Sequence, residues 1–253
     1  GHLMKLRSTF VFSLILFIAV LSATGQTVTI DGTIRPRAEF RNGYKSLPLD
    51  DMSAAFAISQ RTRLNALYNS NTFKAYISMQ DIRVWGDVNQ LDIGSSNKFA
   101  LHQAWGEYFL HNGVSIKLGR QELVYDDSRI FGNVGWAQQA RAHDLGLFKY
   151  ESSNLKLHIG FAFNQKKEAL AGTDYYADYS QGIYTLNNNY KSMQFAWLNT
   201  KILNSNLSLL FLNNGMESVE NSNGVSKLKT IFSQTIGGRF TPNLGPVQIA
   251  AAA

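Results

Sequence analysis

The sequence predicts an all-β fold, an antiparallel transmembrane β-barrel, on three observations. Successive segments alternate apolar and polar residues with the period of two that strands impose. The segments run to about 9–11 residues or more, the length of a tilted strand that crosses a bilayer. Short and long connections alternate between them, which puts tight turns at one end of the sheet and long loops at the other.

The first segment, Thr27 to Arg41, carries the pattern most clearly. Its even positions, Val28, Ile30, Gly32, Ile34, Pro36, Ala38 and Phe40, hold no charge. Its odd positions, among them Asp31, Arg35, Arg37, Glu39 and Arg41, hold no apolar residue. A soluble sheet also alternates, but this run is far longer than the usual strand of about 5–6 residues. In a membrane barrel the oily parity meets lipid and the charged parity meets a wet lumen. No edge survives in lipid, so such a sheet must close.

The remaining segments follow in order. Asn42 to Ser53 is a polar loop. Ala54 to Tyr68 sets Phe56, Ile58, Leu64, Ala66 and Tyr68 opposite Ser59, Arg61, Arg63 and Asn65, and Asn69-Ser70-Asn71 is a tight turn. Thr72 to Val84 continues the alternation, with a parity break near Asp81 that predicts a bulge. After the loop Gly86 to Lys98 come strands Phe99 to Leu110 and Val114 to Tyr125, joined at His111-Asn112-Gly113. Past a long segment, Gln138 to Glu151 and Leu155 to Gln165 flank the turn Ser152-Ser153-Asn154. Tyr190 to Ile202, Leu207 to Leu212 and Lys229 to Phe240 complete the set, with turns at Asn204-Ser205-Asn206 and Thr241 to Gly245 and a longer loop near residue 220. Phe40, Tyr68, Phe73, Tyr108, Tyr150 and Trp197, near segment ends, are candidates for aromatic girdles at the membrane interfaces.

Composition sets the compartment. Only 17% of the 253 residues are charged, below the roughly 25% usual for soluble domains. Cysteine is absent, so there is neither a disulfide framework nor a thiolate metal site. Residues 1–25 divide into Gly1-His2-Leu3, expected to be non-native, and a secretory signal. Lys5 and Arg7 form the positive region, Val11 to Leu21 the apolar run, and Ala23-Thr24-Gly25 the cleavage pattern. That run is short for a transmembrane anchor, and no later run of about 18 apolar residues exists. Losing Lys5 and Arg7 leaves 22 basic against 18 acidic residues, so residues 26–253 carry +4. An exported chain without a membrane helix belongs to the periplasm as a β-sandwich or to the outer membrane as a barrel, and the strand pattern favours the barrel.

The candidate chemistry is cationic. Arg35, Arg37, Arg41, Arg61, Arg63, Lys74, Lys117, Arg120 and Arg141 lie on or near the expected inner face. Rings of Arg or Lys select anions in pores, and a guanidinium pairs with a carboxylate in bidentate fashion. The alternative is that these cations pair with the lumen acids Asp31, Glu39, Glu107 and Glu122 and only fill the wall. The expected partners are an anionic polysaccharide or another carboxylated solute, together with outer-membrane lipid; export argues against nucleic acid. No cofactor is expected. Asp126-Asp127 could hold a hard cation, but such a pair is more often a loop base, and His102, His111, His143 and His158 lack metal-ligand spacing. No nucleophile-elbow, Walker or dinucleotide motif occurs, so enzyme chemistry is not expected.

The pieces LGRQEL (Leu118 to Leu123), YDDSRIFG (Tyr125 to Gly132), Trp136-x-Gln138-x-x-Arg141 and His143-Asp144-Leu145-x-Leu147 resemble the alginate export family of bacterial outer-membrane barrels. Asp81 to Asn89, Leu101 to Phe109 and Phe211 to Gly215 echo it more loosely, over a span from Thr27 to Phe240. The resemblance implies an eighteen-strand barrel with a basic lumen that passes an anionic polyuronate. About ten or eleven strands are counted here, and the chain ends in alanines instead of an aromatic residue, so it is expected to be a C-terminally truncated piece. A porin of the same fold with another solute, or a barrel enzyme or surface-binding module, are the competing readings.

Overall fold

The computed structural model describes residues 26–43, 47–91, 99–165, 168, 172–173, 189–203, 205–222, 225–244, 247–248 and 251–252. The expected signal segment lies outside them. Ten long strands follow the chain: β1 (Thr27–Arg41), β2 (Ala55–Asn69), β3 (Phe73–Val84), β4 (Phe99–Phe109) and β5 (Val114–Gln121) come first. β6 (His143–Glu151), β7 (Leu155–Phe163), β8 (Ser192–Ile202), β9 (Ser205–Ser222) and β10 (Val225–Thr241) follow. Two-residue strands β11 (Asn243–Leu244), β12 (Val247–Gln248) and β13 (Ala251–Ala252) come last. Among the described residues there is no helix.

β1 to β10 form one antiparallel sheet in chain order, with β13 added at β10, while β11 and β12 pair with each other. β1 pairs only with β2, so the two ends of the sheet are not joined. The sheet is nevertheless strongly curled. Flat, eight strand spacings would set β9 roughly 38 Å from β1. Yet Asp126 is hydrogen-bonded to Ser208 on β9, while Gly135, nine residues later, is bonded to Arg35 on β1. Nine fully extended residues reach at most about 32 Å, and this stretch turns repeatedly. The β5–β6 connection, residues 122–142, therefore lies inside the curl and defines an inner face.

The two faces are inverted relative to a water-soluble sheet. Arg61, Ser78, Gln80, His102, Glu107, Ser115, His158 and Ser208 are buried on the inner face. Ile34, Phe40, Phe56, Leu101, Leu118, Phe161, Phe211 and Ile236 are exposed on the outer one, Ile34 at 71% and Ile236 at 79%. Part of the interior is apolar: Leu145, Leu147, Met193, Phe195, Trp197 and Leu210 pack on Leu123, Tyr125 and Phe131 of the inward segment. Phe195 sits directly across from Gly160, where a Cβ would stand 2.1 Å from its ring. That glycine leaves the room the ring occupies.

Several boundaries differ from the sequence reading, each for a physical reason. β5 ends at Gln121 instead of Tyr125, because Glu122 to Tyr125 turn inward with the loop, and β6 begins only at His143. β9 runs to Ser222 and β10 begins at Val225, so strand stands where a loop was expected near residue 220. From Asn213 to Glu220 the residues of β9 are polar or glycine apart from Met216 and Val219, and the stretch pairs along β10. β3 pairs with β2 unbroken through Val84. The bulge is on β4 instead, where the register jumps from Gln103 to Leu101 opposite Ser78 and Met79. Trp197 is 8% exposed and points inward, so it is no girdle residue, whereas Phe40, Phe73 and Tyr108 are exposed outside.

Candidate functional site

The inner face of β1 to β3 presents a row of cations, and the inward segment lies across them. β-strand alternation sends Arg35, Arg37, Glu39 and Arg41 to one face of β1, and direct cross-strand pairing sets Arg35 opposite Arg61. Arg35 donates from Nη1 to the Gly135 carbonyl at 2.7 Å and from Nη2 to the Ala137 carbonyl at 2.9 Å. Its Nε and Nη2 both reach Gln138 Oε1, at 3.2 and 2.8 Å. Arg37 Nη1 donates to the Trp136 carbonyl at 3.1 Å, and Arg61 Nη1 reaches the Gln138 carbonyl at 3.4 Å. Gln80 Nε2 takes the Gln139 carbonyl at 3.2 Å, and Gln138 Nε2 donates to Ser59 Oγ at 2.8 Å. Consecutive main-chain carbonyls from 135 to 139 thus face guanidinium and amide donors on three strands.

The other cations are distributed unevenly. Arg37 and Arg41 pair with Glu39, as the wall-filling alternative expects, but Arg35 does not. Asp31 accepts from Asn65 at 2.6 Å instead of meeting an arginine. Arg63 Nε donates to Gln80 Oε1 at 2.9 Å and lies 3.9 Å from Glu122. Lys74 stands opposite Glu107 in the ladder, with its ammonium over the Phe109 ring. Lys117 sits 3.7 Å above the Trp105 ring, a cation–π contact. Arg120 departs from the expected placement. It shares the outer face with Ile116 and Leu118 and pairs with Asp144 at 2.7 Å, near the strand end. Arg141 lies in the inward segment, where its N–H donates to the Asn133 carbonyl and its side chain is exposed.

Sequence reasoning singled out Glu107 and Glu122 as lumen acids but missed the other residues that seat the segment. The β4 bulge turns both His102 and Gln103 inward, the re-aiming that bulges provide. Both meet Glu122: His102 Nε2 donates to Oε1 at 2.7 Å, and Gln103 Oε1 accepts the Glu122 N–H at 3.2 Å. Asn133 Nδ2 donates to the other carboxylate oxygen at 2.9 Å. Burial pushes the Glu122 carboxyl up, but the His102 and Asn133 hydrogen bonds, with the charges of His102 and Arg63, outweigh it and hold it below its ordinary value. Further along, Ser115 and Lys149 both donate to Glu107, at 2.7 and 2.9 Å. Glu151 accepts from His158 Nε2 at 2.9 Å, and His158 Nδ1 then accepts the Tyr125 hydroxyl at 3.0 Å. Burial, then the nearby Glu151 charge, push the Tyr125 phenol up, so it stays a donor. Asp126 is clamped by Trp197 Nε1 at 3.0 Å and Ser208 Oγ at 2.7 Å, so its carboxylate serves the loop.

Arg35 and Arg61 meet no carboxylate partner among the described residues. Arg61 is 8% exposed, and its Nε has no hydrogen-bond partner. The row therefore keeps uncompensated positive charge and unused donor capacity in a confined space, the chemistry that takes carboxylates. The sequence matches no protein-family model and no curated protein.

Proposed function

We propose that the chain is part of an outer-membrane β-barrel whose cationic interior passes an anionic polysaccharide or a related carboxylated solute by diffusion. The inversion of the two faces carries this reading. Ten consecutive strands turn bulky apolar residues outward and bury Arg, His, Glu and Gln inside. A soluble protein that exposed so broad an apolar band would aggregate; lipid is the solvent in which it is stable. Long strands in an uninterrupted antiparallel meander, with short connections at one end and long ones at the other up to β8, belong to the same architecture. The fragments LGRQEL and YDDSRIFG, which resemble the alginate export family, bracket the start of the inward segment.

Within that reading the cations attract and orient the solute. Field lines concentrate in a narrow low-dielectric channel, and fixed guanidinium forks offer planar, bidentate docking to carboxylates. The test is planar-bilayer conductance under a salt gradient. A reversal potential favouring chloride over the cation is expected, with carboxylated oligosaccharides reducing the chloride current. Cation preference, or no conductance from the full-length protein, contradicts the proposal.

A further inference from the structure

We propose that residues 133–141 are an internal stand-in for the anionic solute, releasing Arg35, Arg37 and Arg61 when a carboxylate enters. The inference deepens the channel reading and rests on it. The inward segment divides into two halves of different character. Its first half is anchored: Leu123, Tyr125 and Phe131 are buried in the apolar cluster, and Trp197 and Ser208 hold Asp126. Its second half is an excursion with a narrow neck, closed by the Arg141 N–H to the Asn133 carbonyl at 2.7 Å. Between those two points, the contacts to β1–β3 named above are polar.

Left-handed non-glycine residues occur in both halves, Asp126 and Ser128 in the anchored one and two more at the neck. Val134 and Ala140 adopt φ of 50° and 55°. The left-handed region is unfavourable for a non-glycine residue, and a β-branched residue is a clear outlier there. The contacts that hold this strained excursion are the ones a solute carboxylate would take over. Neutral carbonyls satisfy the donors of Arg35 and Arg61 but supply no counter-charge, and Arg61 Nε stays unpartnered. A carboxylate supplies a full negative charge and two parallel acceptors to each fork. It therefore outcompetes the carbonyls, and the excursion can move about its neck while the anchored half stays seated. The arginines are then both latch and docking site.

The chain has no cysteine, which makes a cross-link test clean. Ser59→Cys with Gln138→Cys places a pair where the native side chains touch, in the full chain refolded in lipid vesicles. Polyglucuronate is expected to slow disulfide formation by about tenfold, within the usual 5- to 150-fold range of coupling between sites; neutral dextran is expected to leave the rate unchanged. Equal rates with and without polyglucuronate overturn the latch. Arg35→Gln supplies an independent arm in bilayers. A latch predicts that loosening the excursion raises chloride conductance severalfold, whereas an unchanged or reduced conductance overturns it. Slowed cross-linking by a protein that does not conduct would keep the latch and sink the channel reading; conduction with unaffected cross-linking would do the reverse.

Discussion

Replacing Phe195 by alanine is expected to lower stability by about 3–5 kcal/mol, the range for emptying a large aromatic from a packed core. Phe195 is 2% exposed, lies 4.7 Å from Phe131 and 5.7 Å from Tyr125 between ring centroids, and covers Gly160. It supports both strands β7 and β8 and the anchored half of the inward segment. The void cannot be filled by its neighbours, because Met193, Leu145 and Trp197 are themselves fixed in the same cluster. Urea unfolding in vesicles measures the loss. A cost under about 1 kcal/mol would mean that the segment does not seat where it is described.

Ile34→Lys is expected to cost about 2–4 kcal/mol in a bilayer, the penalty for a lysine on the lipid face near the midplane. Ile34 stands at the centre of β1 and is 71% exposed on the outer face. At a water-facing site the same change would fall within about 0.5 kcal/mol and would improve solubility. The sign and size of this one substitution therefore distinguish lipid from water as the solvent of the outer face. Equilibrium unfolding of the variant beside the parent protein, at matched lipid composition, provides the number.

The strands and their faces were largely legible in the sequence. β1 was bounded correctly because its two parities separate without exception over its whole length. Parity also put Arg61 and Glu107 on the buried face. Arg120 was misplaced by grouping it with the cations on charge alone: alternation runs unbroken through β5 and sets Arg120 with Ile116 and Leu118, opposite Lys117. The bulge was detected on the wrong strand: a parity break says that a register slips, not which partner holds the extra residue. The polar half of β9 carries no alternation, so only its ladder to β10 defines it.

The course of the inward segment was hidden more deeply. Arg35 is satisfied by the main-chain carbonyls of Gly135 and Ala137 and by the Gln138 side chain, and every residue has a carbonyl. No side-chain pattern announces such a partnership across a hundred positions. The available hint was composition. Leu123, Tyr125 and Phe131 are too apolar for a connection bathed in water, and all three are buried in the interior cluster.

Residue parity along β1 in a membrane tests the central claim most directly. Single cysteines introduced in turn from Ile30 to Arg41, each carrying a nitroxide, report contact with lipid-soluble oxygen or with a water-soluble nickel complex. The account predicts oxygen maxima at positions 30, 34, 38 and 40 and nickel maxima at 31, 35, 37 and 39, alternating with the period of the strand. Nickel access on both parities, or oxygen maxima at the arginine positions, would contradict it.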